Sequence, residues 1–380
     1  MSEWPIVKLG ELLKPSPKKT AGELDAPILS ITMHDGLVEQ VTRFKKRIAS
    51  LDTSIYRIVF KGQLVVGFPI DEGVLDFQDK YSQALVSPAY GVWDLVSDEV
   101  TPEFLGLFLK SPRAISIYKS RLRGTTARRR SLPTKVFQEI AFPLPPLGEQ
   151  KRIAEILGGV SKAIHVVEQQ IETTNQLEKS LFNQFRRQYS ALCSPIKNMC
   201  KVQTGATPSR KNSSYYDGGI PWVKTGEVNG GKIEETEEYI TELAIQETNC
   251  RKFPIGTILV AMYGQGATRG KVGILNCAAA TNQACAALIA LACEDQEYIF
   301  AVLRNCYDEL RNLGRGGTQP NLNLTLVKNF EIPWPEEFAR EEFSQKWREL
   351  DNLRHLLHRK LSLLQELQKS LATRAFAGLL

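Results

Sequence analysis

Two long stretches of the chain carry apolar residues at steps of three and four. The first ladder is Ile153, Leu157, Val160, Ile164, Val167, Ile171, Leu177, Leu181 and Phe185; the second is Phe343, Trp347, Leu350, Leu353, Leu357, Leu361, Leu364, Leu367 and Leu371. That spacing keeps one face of a helix apolar and approaches a coiled-coil seam. A helix of about 38 residues would run about 57 Å. Two matching stripes are expected to pack on each other as an antiparallel coiled coil, because duplicated copies commonly relate by a two-fold-like rotation. Gly158-Gly159 is expected to weaken or bend the first helix.

Ahead of each ladder lies a mixed segment of short apolar runs among Gly, Pro and polar turns. Ile58–Phe60, Leu64–Val66, Ile258–Val260 and Ala286–Leu291 read as strands, with helices over Glu103–Leu122 and Asp295–Leu313. Proline punctuation closes each segment, at Phe142-Pro-Leu-Pro-Pro146 and Ile332-Pro-Trp-Pro335. The order is therefore duplicated with a period of 190. Pro5-Ile6 falls on Pro195-Ile196, Pro143-Leu-Pro145 on Pro333-Trp-Pro335, and Leu177, Lys179, Ser180 and Leu181 on Leu367, Lys369, Ser370 and Leu371. Phe60-Lys-Gly62 resembles Pro254-Ile-Gly256, and Gln83-Ala84 resembles Gln283-Ala284, at shifts of 194 and 200. A period this long means two copies of one large module rather than a solenoid. The expected fold is α+β and pseudo-two-fold: globular domains at 1–145 and 190–335, long spacer helices at 146–189 and 336–380. Ile153, Leu157, Val160, Ile164, Val167 and Ile171 should pack against Phe343, Trp347, Leu350, Leu357, Leu361 and Leu364.

The start, MSEWPIVKLG, lacks a basic region followed by an apolar one, so no secretory signal is read there. Val272 to Cys293 carries no charge, but Asn276, Thr281, Asn282 and Gln283 sit in its middle. Such groups are costly in hydrocarbon, so two buried strands are expected and not a membrane span. Seven cysteines with no C-x-x-C pair point to a reducing compartment, hence the cytoplasm. Cys277, Cys285 and Cys293 are read as ordinary buried cysteines, and His355 with His358 as part of a solvated helix face; no metal site is expected.

Net charge is +6, mildly basic. Residues 1–145 hold 20 basic against 16 acidic side chains, whereas 190–335 hold 14 of each. Any nucleic-acid surface must therefore be local. Catalytic motifs fail one by one. Gly264-Gln-Gly266-Ala-Thr-Arg-Gly270-Lys271-Val272 has the wrong gaps for a phosphate loop and no hydroxyl after its lysine, and Arg269 stands where G-x-G-x-x-G needs its third glycine. H-E-x-x-H, G-x-S-x-G and an Asn-Pro-Pro-aromatic run are missing from the sequence. A chain without covalent chemistry of its own is expected.

What remains looks like contact surface. Arg121, Arg123, Arg128, Arg129 and Arg130 surround Gly124-Thr125-Thr126, Arg43, Lys45, Lys46 and Arg47 form a second basic run, and Lys18 and Lys19 a third. The second copy offers Gly205-Ala-Thr207-Pro-Ser209-Arg210-Lys211, then Gln265, Thr268, Arg269 and Lys271, then Arg315, Thr318, Gln319 and Asn321. Glycine lets backbone approach a ligand, Ser, Thr, Lys and Arg hold phosphates, and Arg, Asn and Gln read base edges. Recurrence of such loops in both copies favours nucleic acid.

Here the residues resemble a known family. Pro143-Leu-Pro-Pro-Leu-Gly-Glu-Gln-Lys-Arg-Ile-Ala154, Gly205-Ala-Thr-Pro208, Gly219-Ile-Pro-Trp-Val223, Thr281-Asn-Gln-Ala284, Arg315-Gly-Gly-Thr-Gln-Pro-Asn321 and Leu371-Ala-Thr-Arg-Ala-Phe-Ala-Gly378 are similar to the specificity subunits of type I restriction–modification systems. The first copy departs most. Lys14-Pro-Ser-Pro17 stands for Gly205-Ala-Thr-Pro208, and Gly67-Phe-Pro-Ile70 replaces the glycine-rich loop. The resemblance implies two target-recognition domains, each binding half of a bipartite, asymmetric DNA site. It implies helices that dock modification subunits carrying S-adenosylmethionine, and restriction subunits using ATP and magnesium, with no cofactor in this chain. The alternative is a coiled-coil adaptor that binds only proteins; it explains the helices but not the basic Gly/Thr/Asn loops.

Overall fold

The computed structural model describes residues 4–33, 36–40, 53–122, 132–264, 266–313 and 321–380. It divides into two compact units, Met1–Gln169 with Arg359–Leu380, and Gln170–His358.

In the first unit, β1 (Leu13–Pro15), β2 (Leu64–Val66), β3 (Leu75–Phe77) and β4 (Gly91–Leu95) form an antiparallel sheet in the order β1-β4-β2-β3. Leu13, Leu64 and Leu75 pack beneath α1 (Pro102–Leu109) and α2 (Pro112–Arg121), with Phe104, Phe108 and Tyr118 filling the layer. Both helices open on the same device. Thr101 and Ser111 accept the Phe104 and Ala114 N–H groups, and a proline follows each cap. The expected single helix Glu103–Leu122 is thus two, because Pro112 has no N–H to continue the first. A second apolar cluster, including Leu29, Ile31, Val59, Val65 and Ala84, joins the strands Leu29–Thr32 and Arg57–Phe60 to the sheet. The first long helix, α3 (Leu147–Gln188), begins in this unit and runs through Gly158-Gly159 without a break. The expected weakness there does not interrupt it.

The second unit repeats the plan with one added strand. Its sheet is β5 (Cys200–Thr204), β6 (Lys232–Ile233), β7 (Ile258–Ala261), β8 (Val272–Leu275) and β9 (Cys285–Ala290), ordered β5-β9-β7-β8-β6. The added β6 pairs parallel to β8. Val272 to Cys293 holds three strands rather than two, since Ala279–Thr281 forms one between β8 and β9. Asp295–Leu313 is likewise two helices, α4 (Gln296–Asn305) and α5 (Tyr307–Asn312), parted at Cys306. The second long helix is α6 (Glu337–Ala375).

The ladders fix which residues are equivalent. Pro15, Trp93, Leu64 and Phe77 form one row across the first sheet; Val202, Leu288, Ile258 and Ile274 form the same row across the second. Gly62 and Gly256 turn the chain at matching places, with φ of 87° and 83°. Three matches read from the sequence are corrected by these registers. Ile6 pairs with Pro143 as Cys193 pairs with Pro333, so Ile6 matches Cys193 and not Ile196. Ala84 pairs with Val59 as Ala279 pairs with Phe253, so Ala84 matches Ala279 and Gln83 does not match Gln283. Lys14-Pro-Ser-Pro17 matches Lys201–Thr204, which leaves Lys18-Lys19-Thr20-Ala21 opposite Gly205–Pro208. Short apolar strings recur by chance at nearby shifts, and only pairing selects among them.

Within each unit the long-helix segments run antiparallel. In the first, Ile153 and Leu157 share a core with Ala372, Ala375 and Phe376, and Gln368 Nε2 donates to Ser161 Oγ at 2.8 Å. In the second, Phe182 and Phe185 meet Phe343 and Trp347. Ile153, Leu157, Val167, Ile171, Phe343, Trp347 and Leu357 are buried; Val160, Ile164, Leu350, Leu361 and Leu364 are half-buried. Three members of the ladders are instead exposed: Leu177 (53%), Leu353 (44%) and Leu367 (45%). The buried rhythm continues from Ile171 through Thr174 and Glu178 to Phe182, and Leu177 falls one residue off it.

No described helix is long and apolar enough to cross a membrane. Among the described residues no His, Cys, Asp and Glu cluster suits a metal; His355 Nε2 lies 3.4 Å from Asp351. Cys285 is buried and burial pushes its thiol up to about 12, but Cys293 is exposed, against expectation.

Candidate nucleic-acid interface

One end of the second unit's sheet gathers the loops that the sequence singled out. The loop after β5 leaves beside the start of β9, and the β7–β8 loop leaves beside both. Ala206 N donates to Thr281 O at 3.0 Å, and a Cβ built on Gly205 would fall 1.7 Å from that same oxygen. Only glycine permits this approach. Thr207 Oγ1 donates to Gln283 Oε1 at 2.5 Å, while Thr204 Oγ1 reaches the carbonyls of Gln283 and Cys285 at 3.1 Å. Met262 N donates to Ala284 O, and Leu322 N to Met262 O, which brings Asn321 to the same edge. The segments Gly205–Lys211, Tyr263–Gly264, Gly266–Lys271, Thr281–Ala284 and Asn321 are therefore neighbours, although up to 116 residues part them in sequence.

Arg210 is held rather than free. Its Nη1 pairs with Glu238 at 2.6 Å, and its guanidinium carbon lies 4.6 and 5.3 Å from the Tyr216 and Trp222 ring centres. Hydrogen bonding to Arg210, then to Lys224, holds the Glu238 carboxyl below the usual carboxylate range, and the same pair raises Arg210. Trp222 Nε1 in turn donates to Ala206 O at 3.1 Å, so the aromatic bed of Arg210 also braces the loop. Glu238, Tyr216 and Gln283 were not among the expected contacts. Only Trp222 and Gln283 carried a signal, within the family motifs.

Thr207, Ser209 and Lys211 are exposed; Thr268, Arg269, Lys271 and Asn321 are half-buried. Arg269 Nε is buried with no hydrogen-bond partner among the described residues. Tyr307 Oη donates to Ala267 O at 2.8 Å and accepts from Arg311 Nη1 at 2.6 Å, tying the β7–β8 loop to α5.

The first unit has the same loop end with other residues. Lys18 and Lys19 are exposed there, Lys19 Nζ standing 5.2 Å over the Phe60 ring. Arg57 props the end from below by donating to Ser16 O and Tyr90 O at 3.2 and 3.0 Å. The β2–β3 connection from Gly67 to Val74 replaces the longer glycine-rich one from Ala261 to Lys271. Arg43, Lys45, Lys46, Arg123, Thr125, Thr126, Arg128, Arg129, Arg130, Gln265, Arg315, Thr318 and Gln319 lie outside the described residues.

Comparison with known proteins adds the following. A family model described as the type I restriction modification DNA specificity domain matches residues 1–178 and again 193–365. The MjaIX specificity subunit of a Methanocaldococcus jannaschii type I restriction enzyme is 30% identical over 163 residues, 42% of this chain and 37% of its own length. The MjaVIII specificity subunit of the same organism is 24% identical over 301 residues, covering 72% of this chain and 69% of that one. The chain thus spans just over a third of the first relative and about two thirds of the second. In fold it is similar to the type I restriction–modification S subunit of M. genitalium, with a TM-score of 0.63 at 14% identity over 98% of this chain and 96% of that one. A chain from a type I system solved for its complex assembly and conformational transition gives 0.57 at 14% identity, over 99% and 98%.

Proposed function

Because the chain belongs to the type I restriction–modification DNA specificity family, whose model matches in both halves, we propose that each unit reads one half of a bipartite, asymmetric duplex target. The observation that carries this reading is the gathering of loops at the same end of two equivalent sheets. The four strands of the first sheet have counterparts in the second, yet the loops on them differ in length and residue type, as two readers of different half-sites would. Domains at 1–145 and 190–335 act as the readers, and 146–189 and 336–380 as the spacer helices. Thr207, Ser209, Lys211, Thr268, Arg269, Lys271 and Asn321 face the DNA in the second reader, Lys18 and Lys19 in the first. The basic runs Arg43–Lys46 and Arg123–Arg130, with Gln265, Arg315, Thr318 and Gln319, complete the two surfaces.

The chain supplies the address and no reaction. Methyl transfer falls to modification subunits that carry S-adenosylmethionine, and cleavage to restriction subunits that use ATP and magnesium, all in the cytoplasm. Exposed leucines support docking on the long helices: Leu353 and Leu356 in the second unit, Leu363 and Leu367 in the first. A purely protein-binding adaptor leaves the braced loop ends without a use. The experiment is duplex binding by the assembled complex across a salt series. Phosphate contacts release counterions, so affinity should fall steeply with salt. A flat salt response would remove DNA from the account.

A further inference from the structure

A groove of about 660 Å³ opens in the first unit between α1, α2 and the long-helix segments. Lys110, Leu157, Gly158, Ser161, Gln368 and Ala372 are among its lining residues. The second unit shows the same place filled. The 190-residue offset of the long helices puts Trp347, Arg348, Asp351, Glu178 and Phe182 at the positions of Leu157, Gly158, Ser161, Gln368 and Ala372. The helices above them match at an offset of 194, so Arg304 stands for Lys110 and Phe300 for Gly106. In the second unit the Trp347 indole donates its Nε1 proton to Glu178 Oε1 at 2.9 Å. Arg304 stacks on its ring at 4.9 Å, and Phe300 meets it edge-on at 5.7 Å.

In the first unit these positions hold Leu for Trp, Ala for Phe, and Gly for both Phe300 and Arg348. Phe376 packs on Phe104 and Phe108 and is not among the groove's lining residues. Gln368 holds the place of the indole's acceptor. Its Nε2 donates to Ser161 Oγ, and its Oε1 has no partner among the described residues. Lys369 and His165 also line the groove, with Glu168 its one carboxylate among the described residues; Lys110 is already paired with Asp76 at 2.9 Å.

We propose that this groove seats a tryptophan side chain from a partner protein, carried on an acidic segment, in the place that the second unit fills with its own Trp347. The ring would lie over Leu157 and Ala372, and its N–H would donate to Gln368 Oε1. Flanking carboxylates would face Lys369. Because the second unit is filled from within, such a partner binds once per chain. The inference does not rest on DNA reading and can fail without it.

The test uses the full chain and the peptide acetyl-Asp-Trp-Glu-amide, with binding followed by saturation-transfer NMR. Leu157→Trp and Ala372→Phe rebuild the second unit's filling and should each weaken binding about tenfold or more. Gln368→Met should weaken the tryptophan peptide by about tenfold, one hydrogen bond's worth, and leave a phenylalanine peptide unchanged. Melting curves identify any variant that has not folded, and Gly158→Trp, which fills the groove from its solvent side, then replaces it. No saturable binding by the wild type, equal binding by the filled variants, or no preference for tryptophan over phenylalanine would each overturn the proposal.

Discussion

Gly205 lies against the carbonyl oxygen of Thr281 so closely that a methyl group in place of its hydrogen would sit 1.7 Å from it. Backbone contact, beside the Thr207–Gln283 hydrogen bond, therefore seats the first loop of the second reader on the third. Gly205→Ala should force the loops apart. The expected cost is about 1–3 kcal/mol, as for other overpacked sites. Denaturant unfolding would measure it, and methylome sequencing should show relaxed recognition in one half of the target only.

Glu178 is the second sensitive point. Arg304 Nη2 reaches its two oxygens at 2.7 and 2.8 Å, Arg354 Nη1 reaches one at 3.0 Å, and Arg304 Nη1 also pairs with Asp351 at 2.7 Å. All four side chains are largely buried. Removing the carboxylate by Glu178→Ala leaves two largely buried guanidinium groups, Arg304 and Arg354, to share the single carboxylate of Asp351, which should cost about 3 kcal/mol. Urea denaturation should place that loss in the second unit; an unchanged midpoint would mean that water already screens the cluster.

The Arg210 clamp has a pH signature. Glu238 is held below its ordinary 4.5 by Arg210 first and by Lys224 second. A depressed carboxyl contributes its stabilisation above the unfolded value and loses it as pH falls through the folded one. The clamp should therefore survive neutral and mildly acidic solution and release only below the ordinary carboxylate range. NMR of the Arg210 side chain would follow it, and Glu238→Gln should release it at every pH.

Arginines and amides should separate in their effects on DNA. Neutralising Arg128, Arg129 and Arg130 should weaken binding to all duplexes and flatten the salt response, as lost phosphate contacts do. Changing Asn321 or Gln319 should relax discrimination at one base position, at about 1–3 kcal/mol per lost bidentate contact. Filter binding across salt and a methylome of each variant would distinguish the two.

Much of this was legible in the sequence, for local reasons. The ladder from Ile153 to Ile171, the strands near Leu64 and Ile258, and the prolines before each long helix follow from periodicity and backbone restriction. What was hidden depends on partners far along the chain. Glu178 reads as a surface residue until Arg304 and Arg354 are brought to it, so apolar spacing alone puts the neighbouring Leu177 on the ladder. Arg210 reads as a free cation until Glu238, 28 residues on, is folded beside it. The match of Gln83 to Gln283 was plausible as text and wrong as structure, because pairing register is set by the opposing strand.

Exchange of one reader tests the central claim most directly. Residues 1–142 should be replaced by the corresponding domain of a specificity subunit with a different target, and the methylome of the assembled complex sequenced. The account predicts that one half of the methylated motif changes to that of the donor while the other half is retained. A motif that changed in both halves, or in neither, would contradict two independent readers on one chain.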